Sequence, residues 1–72
     1  MGLSATVWRL TDARGRLAQC IISERDGRWH LMVRQGTKIL IAERCPSDDA
    51  ALMRANEILD TLKERGWIEP LH

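Results

Sequence analysis

The chain has no phenylalanine and no tyrosine, and its only large aromatic residues are Trp8, Trp29 and Trp67. Proteins that hold single-stranded nucleic acid usually stack its bases on aromatic side chains. We expect Trp8 and Trp29 to be buried, because they fall at apolar positions of alternating segments. The sequence therefore offers no evident aromatic platform for bases.

Cysteine is also scarce. Cys20 and Cys45 lie 25 positions apart, without the CxxC spacing of a zinc or redox motif. Cys20 resembles a small core residue, and Cys45 lacks the electropositive helix start that activates a thiolate. We predict no disulfide framework, no metal site and no cofactor.

Sequence motifs for catalysis are absent too. The chain contains no GxSxG, no glycine-rich phosphate loop and no HExxH. His30 has no nucleophile or orienting carboxylate within its own segment, so we interpret it as a surface or interface residue. We predict that the protein is not an enzyme and that it has no small-molecule substrate.

Long apolar runs are missing, and none approaches the roughly 20 residues of a membrane span. Residues 1–6 lack the basic start and apolar stretch of a signal peptide. Together with unpaired cysteines, these features predict a cytoplasmic protein that does not associate with membranes.

Charge is present in nearly balanced amounts but is unevenly placed. Residues 1–46 hold eight Lys/Arg and four Asp/Glu, a net +4, whereas residues 47–72 hold three and six, a net −3. This difference is either a functional polarity or a chance difference between the two halves. A chain of 72 residues forms one domain, residues 1–72, with a small core that oligomerisation would stabilise.

Four segments rich in branched apolar residues predict β-strands at about 5–11, 16–24, 28–34 and 37–44. Asp26-Gly27 is typical of a two-residue hairpin turn, and Gln35-Gly36 is a less typical one. The first loop is best interpreted as the three residues 13–15, with Gly15 in the left-handed conformation. These turns pair Trp8 with Cys20, Ile22 with Leu31, and Leu31 with Leu40.

The remaining segment predicts one helix with both ends marked. Ser47 is a suitable N-cap, and Gly66 is a suitable left-handed residue after the helix. Apolar residues recur between these ends at three- and four-residue spacing: Leu52, Ala55, Ile58, Leu59 and Leu62. We therefore predict an α+β fold, a four-stranded antiparallel β-meander with one C-terminal α-helix packed on one face (ββββα).

The predicted registers divide the strand residues between two faces. The inner face, under the helix, collects Trp8, Leu10, Ala18, Cys20, Ile22, Trp29, Leu31, Val33, Leu40 and Ala42. The outer face is about half apolar, which is unusual for a solvated face and typical of an interaction surface. Its candidate interaction residues are Val7, Arg9, Ile21, Arg28, His30, Met32, Arg34, Ile39 and Ile41.

Two functions fit such a face. The first is a non-catalytic protein-interaction module, homodimeric through the outer face or through an edge strand. The alternative is a single-stranded nucleic-acid-binding protein that uses the same basic face, with Arg14, Arg16, Arg25 and Lys38 near its edges.

The order of elements resembles that of the Pur-alpha repeat, the whirly proteins and the single-strand-binding transcriptional coactivators. No residue motif of those families is present, so no functional residue is carried over. The segments VWRL at 7–10, RLAQC at 16–20, GRW at 27–29 and ERGW at 64–67 also resemble small uncharacterised bacterial proteins of meander-plus-helix layout. That resemblance implies a bacterial source and no particular activity.

Overall fold

A computed structural model of the chain describes residues 2–70. It contains four strands and one helix: β1 (Leu3–Thr11), β2 (Leu17–Arg25), β3 (Arg28–Gln35), β4 (Lys38–Cys45) and α1 (Asp48–Glu64). The strands form one antiparallel sheet in the order β1-β2-β3-β4, and α1 packs on one side of it. The predicted fold class is confirmed. Within residues 2–70, no helix is long and apolar enough to cross a membrane.

The first two turns form as the sequence predicts. Gly15 has φ +79°, and the amide of Asp12 donates to the Arg16 carbonyl, so residues 13–15 make the three-residue loop. Asp26 and Gly27 have φ +55° and +77°, as a type I′ turn requires. The predicted pairs Trp8 with Cys20 and Ile22 with Leu31 are both present.

The third turn differs from its prediction, and so does the strand that follows it. Gln35 pairs with Lys38, which places Gly36 at the first central position of the turn, with φ +61°. Arg34 then pairs with Ile39, but Val33 pairs with Ile41, so Leu40 is an extra residue that bulges out of β4. A bulge of one residue moves every later side chain of its strand to the other face.

Because of this bulge, the positions predicted from the sequence for three residues of β4 are wrong. Ile41 lies on the inner face, half-buried against the core, and not on the outer face. Ala42 lies on the outer face opposite Met32, and not in the core. Leu40, at the bulge, is 39% exposed rather than buried.

A second bulge lies in β1. Thr6 pairs with Ile21 and Trp8 with Cys20, which leaves Val7 without a partner in β2. Val7 is half-buried and packs against the core cluster, so its assignment to the outer face is wrong. The bulge also determines the face of the preceding residues, because Leu3 and Ala5 now lie opposite inner-face residues of β2.

Both predicted helix ends are present. The Ser47 hydroxyl accepts a hydrogen bond from the Ala50 amide, and two acidic residues occupy the first turn. At the other end, Gly66 has φ +97° and the Trp67 amide donates to the Leu62 carbonyl, the 6→1 bond of a Schellman motif. Trp67 is half-buried against the core, as this motif predicts.

The core lies between α1 and the inner face of the sheet. Its buried residues are Trp8, Leu10, Ala18, Cys20, Ile22, Leu31, Val33, Ala51, Ala55 and Ile58. The indole N–H of Trp8 donates a buried hydrogen bond of 3.0 Å to the carbonyl of Ala55, which joins β1 to the middle of α1. The apolar stripe of the helix predicted that Leu52 is covered, but Leu52 is 45% exposed. Ala51 is buried instead.

The helix crosses the sheet diagonally. It follows Cys45, which pairs with Trp29 at one end of the sheet. After the helix, Ile68 forms two backbone hydrogen bonds of 2.8 Å with Thr11, at the opposite end and on the opposite edge. A helix attached at these two corners leaves the corner at the start of β1 uncovered.

Candidate functional site: the outer face of the sheet

We use "outer face" for the side of the sheet that faces away from α1. Direct pairing across the four strands arranges its residues in three rows. These rows are Arg9, Gln19, Arg34 and Ile39; then Thr6, Ile21, Met32 and Ala42; then Ser4, Ser23, His30 and Arg44. Beyond the third row, Arg25 pairs with Arg28 beside the Asp26-Gly27 turn, and before the first row Thr11 pairs with Leu17, which is exposed.

The outer face is basic and free of carboxylates at the strand positions that the structure describes. Its five guanidinium groups belong to Arg9, Arg25, Arg28, Arg34 and Arg44, and none of them takes part in an ion pair within residues 2–70. All but Arg34 are exposed. The positive charge of this face is therefore not neutralised by the protein itself.

Six of the ten carboxylates lie on the helix side of the sheet. Five of them belong to α1: Asp48, Asp49, Glu57, Asp60 and Glu64. Glu43, in β4, faces inwards and accepts two hydrogen bonds of 3.0 Å from Arg54 of α1. These hydrogen bonds hold the pKa of the Glu43 carboxyl below its ordinary value. The charge asymmetry of the sequence is thus a separation between two sides of the fold.

Arg34 is held in place by its neighbour in the first row. With the amide of Gln19 oriented so that its oxygen faces the guanidinium, this oxygen accepts hydrogen bonds from Nε and Nη2 of Arg34 at 3.0 and 3.1 Å. A guanidinium has five N–H donors, so three remain for a ligand. Gln19 therefore fixes the orientation of Arg34 without neutralising its charge.

Apolar side chains occupy the middle of the outer face. Ile21 and Met32 are half-buried neighbours in the second row, and Ala42 beside them is exposed. A shallow depression next to Met32 is lined also by Ser23, His30, Ala42 and Arg44. The face consequently has an apolar centre between two rows that carry arginines.

Seven of the nine predicted interaction residues lie on this face: Arg9, Ile21, Arg28, His30, Met32, Arg34 and Ile39. Val7 and Ile41 do not, for the reasons given above. Sequence reasoning missed Arg44, which the bulge at Leu40 turns outward. Leu40 is neither glycine nor proline, so no local residue signal predicts that bulge.

The three tryptophans lie away from the outer face. Trp8 is buried under α1, Trp29 is half-buried on the inner face, and Trp67 packs at the helix end. No described position of the outer face carries a large aromatic side chain. Contacts with bases there would involve aliphatic side chains and arginine planes, which hold bases less tightly than aromatic rings.

The thiols are kept in their protonated form by their surroundings. Burial raises the pKa of Cys20 to about 11, and burial, followed by the nearby Glu43 carboxylate, raises that of Cys45. A protonated thiol is a poor nucleophile and a poor metal ligand. Among residues 2–70, no cluster of three or more His, Cys, Asp or Glu side chains could hold a metal ion.

Fold alone does not assign a function, because one arrangement of strands and helices serves many unrelated activities. The properties that bear on function here are the charge and shape of the outer face. Comparison of the chain with protein-family models, with curated proteins and with solved structures found no match.

Proposed function

We propose that the protein is a non-catalytic binding module whose outer face binds the backbone of single-stranded nucleic acid. The observation that carries this proposal is the group of five arginines on a face without carboxylates. Phosphate groups neutralise such a surface and release their own condensed counterions, which drives association. Arginine also matches phosphate geometry with paired N–H donors.

The corrected register favours this proposal over self-association through the same face. Two apolar candidates, Val7 and Ile41, lie on the inner side, while Arg44 and Ala42 are added to the outer face. Two copies docked face to face would bury ten guanidinium groups without a single carboxylate on either outer face. Burying like charges together is costly, so an anionic partner suits this surface better.

The arrangement of rows favours a single strand over a duplex. Four strands spaced about 4.8 Å apart make a face only about 15 Å wide, in which the apolar second row lies between rows that carry arginines. A single strand can place its bases against Ile21 and Met32 while its phosphates contact arginines on either side. A duplex presents phosphates outward and keeps its bases stacked, so it would leave the apolar row without a partner.

Titration of a fluorescently labelled single-stranded oligonucleotide, followed by anisotropy at several salt concentrations, tests the proposal. Each neutralised phosphate contributes about 0.7 to the slope of log K against log salt, so five arginines predict a slope of up to about −3.5. The triple variant Arg9→Gln, Arg34→Gln, Arg44→Gln should bind more weakly and reduce the magnitude of the slope by about 2. Poly-dT and poly-dA should bind alike, because the face has no base-reading pattern.

The matched control is a triple variant with the same change of charge at exposed residues that do not lie on the outer face, Lys38→Gln, Lys63→Gln, Arg65→Gln. It should keep most of the affinity and the parental slope. Equal losses in both triple variants would mean that net charge alone attracts the oligonucleotide and would contradict the proposal. Binding to a duplex as tight as to the single strand would contradict the assignment to single strands.

A further inference from the structure

The corner left uncovered by α1 is an apolar groove on the inner side of the sheet, beside the first half of β1. Ser4 and Asp48 line part of it, but most of its lining is apolar: Leu3, Ala5, Val7, Ile22, Trp29 and Leu52. Leu3 is 68% exposed and Leu52 is 45% exposed, although both face this groove. The helix cannot cover them, because it starts beside the end of β4 and finishes beside the end of β1. It therefore crosses the sheet between two other corners.

The strand edge beside this groove is free of charge. Residues 3–8 of β1 include no charged residue and no proline, and no backbone pairing to the outer edge of residues 3–6 is present within residues 2–70. The other edge strand, β4, carries Lys38, Glu43 and Arg44 and is interrupted by the Leu40 bulge. Charges and bulges are the features by which proteins protect an edge from pairing. Both edge strands contain a bulge, at Val7 in β1 and at Leu40 in β4, so the charges of β4 make residues 3–6 of β1 the less protected stretch.

We infer that a second copy of the chain pairs with the first half of β1, in antiparallel orientation, and that Leu3 of each copy covers the groove of the other. Identical strands related by a two-fold axis must run antiparallel when they pair edge to edge. If the two-fold axis passes near Ala5, Leu3 of one copy lies beside Thr6 and Val7 of the other. The Leu3 side chain is then on the inner side of the sheet, where the groove is. The paired strand residues, 3–8, carry no charge, and Asp48 is exposed and is the one charged residue among those that line the groove.

The size of this interface predicts its strength. The free edge of residues 3–6 is about 14 Å long, and α1 does not extend over this corner, so the contact is a narrow strip along one sheet edge together with the Leu3 side chains. A standard stable interface covers about 800 Å² per partner. The dimer is therefore weak and dissociates on dilution. This inference does not depend on nucleic-acid binding, since it involves a different edge and the opposite side of the sheet.

Sedimentation equilibrium of the full chain across the micromolar range tests the inference with two matched variants. Leu3→Lys and Ile39→Lys each place one new charge at an exposed leucine or isoleucine of an edge strand, where the parent residues are 68% and 59% exposed. Leu3→Lys should be monomeric and Ile39→Lys should dimerise as the parent does. At concentrations where the parent is monomeric, both should retain the parental circular dichroism and melting temperature, because neither side chain is part of the core.

A cross-link locates the axis. In a Cys45→Ala background, Ala5→Cys should form an intermolecular disulfide on mild oxidation, because directly opposed positions near the axis meet the distance that the bond requires. Ala42→Cys, equally exposed on β4, should not. A parent that is monomeric throughout the range, a dimer broken by Ile39→Lys but not by Leu3→Lys, or faster cross-linking through Ala42→Cys would each overturn the inference. Oligonucleotide binding is measured separately, so its failure would not affect these outcomes.

Discussion

The hydrogen bond from Trp8 to Ala55 offers the sharpest test of how the helix is attached to the sheet. The indole N–H lies in the core, where Trp8 is only 8% exposed, and reaches a carbonyl 47 residues away in the chain. Trp8→Phe removes this donor and part of the ring while leaving an apolar aromatic group in place. The Ala55 carbonyl is inside a helix, so its intrahelical partner remains and no orphaned acceptor is created.

The expected loss of stability has two parts. A buried hydrogen bond contributes about 1 kcal/mol net, and the space left by the smaller ring costs about 1 kcal/mol more. A chain of 72 residues has a total stability of about 4–11 kcal/mol, so a loss of about 2 kcal/mol is a large fraction of it. With a urea m-value of about 1 kcal/mol/M, the unfolding midpoint should fall by about 2 M.

Trp29→Phe is the matched control. Trp29 is half-buried on the inner face, and its indole makes no hydrogen bond to the part of the protein that the structure describes. Its substitution should lower the midpoint much less, with the same m-value. If Trp8→Phe were as stable as Trp29→Phe, the indole N–H would not contribute to holding the helix, and the reasoning would be refuted.

Two further predictions concern the helix and its ion pair. Trp67→Ala should lower the free energy of unfolding by about 2 kcal/mol, less than for a fully buried tryptophan, and unchanged urea unfolding would show that Trp67 does not stabilise the helix end. Arg54 lowers the pKa of Glu43 in the folded protein. The ion pair therefore stabilises the fold at pH values above the ordinary pKa of a glutamate, and this stabilisation is lost as the pH falls through the lowered pKa of Glu43. Glu43→Gln should therefore reduce the melting temperature at neutral pH and make it less sensitive to acid, whereas a parallel pH profile would count against the pair.

Turn chemistry accounts for what could be predicted of the fold. Asp26-Gly27 determines the register of β2 and β3, and Gly15 that of β1 and β2 near the loop, because positive φ values restrict where these residues can lie. The helix ends were equally predictable from Ser47 and Gly66. These local signals operate over a few residues and were correct wherever no bulge intervened.

The bulges at Val7 and Leu40 mark the limit of that reasoning. Both are branched apolar residues in apolar surroundings, so alternation of the sequence assigns each a regular strand position. Each bulge adds one residue to its strand, and the cause is packing. Val7 turns towards the core. The shift after Leu40 brings Ile41 inward and places Glu43 where Arg54 can reach it. The groove at Leu3 could not be predicted either, because it depends on the direction in which α1 crosses the sheet.

The five arginines of the outer face and the five carboxylates of α1 lie on opposite sides of the sheet, which gives the molecule an electric dipole that its net charge of +1 conceals. In salt solutions of about 0.1 M, fields are screened beyond about 10 Å, so a distant polyanion meets a nearly neutral particle. Only at close approach does each side act separately, and the torque then turns the sheet towards negative charge and the helix away from it. Such a molecule selects its encounters by orientation rather than by long-range attraction.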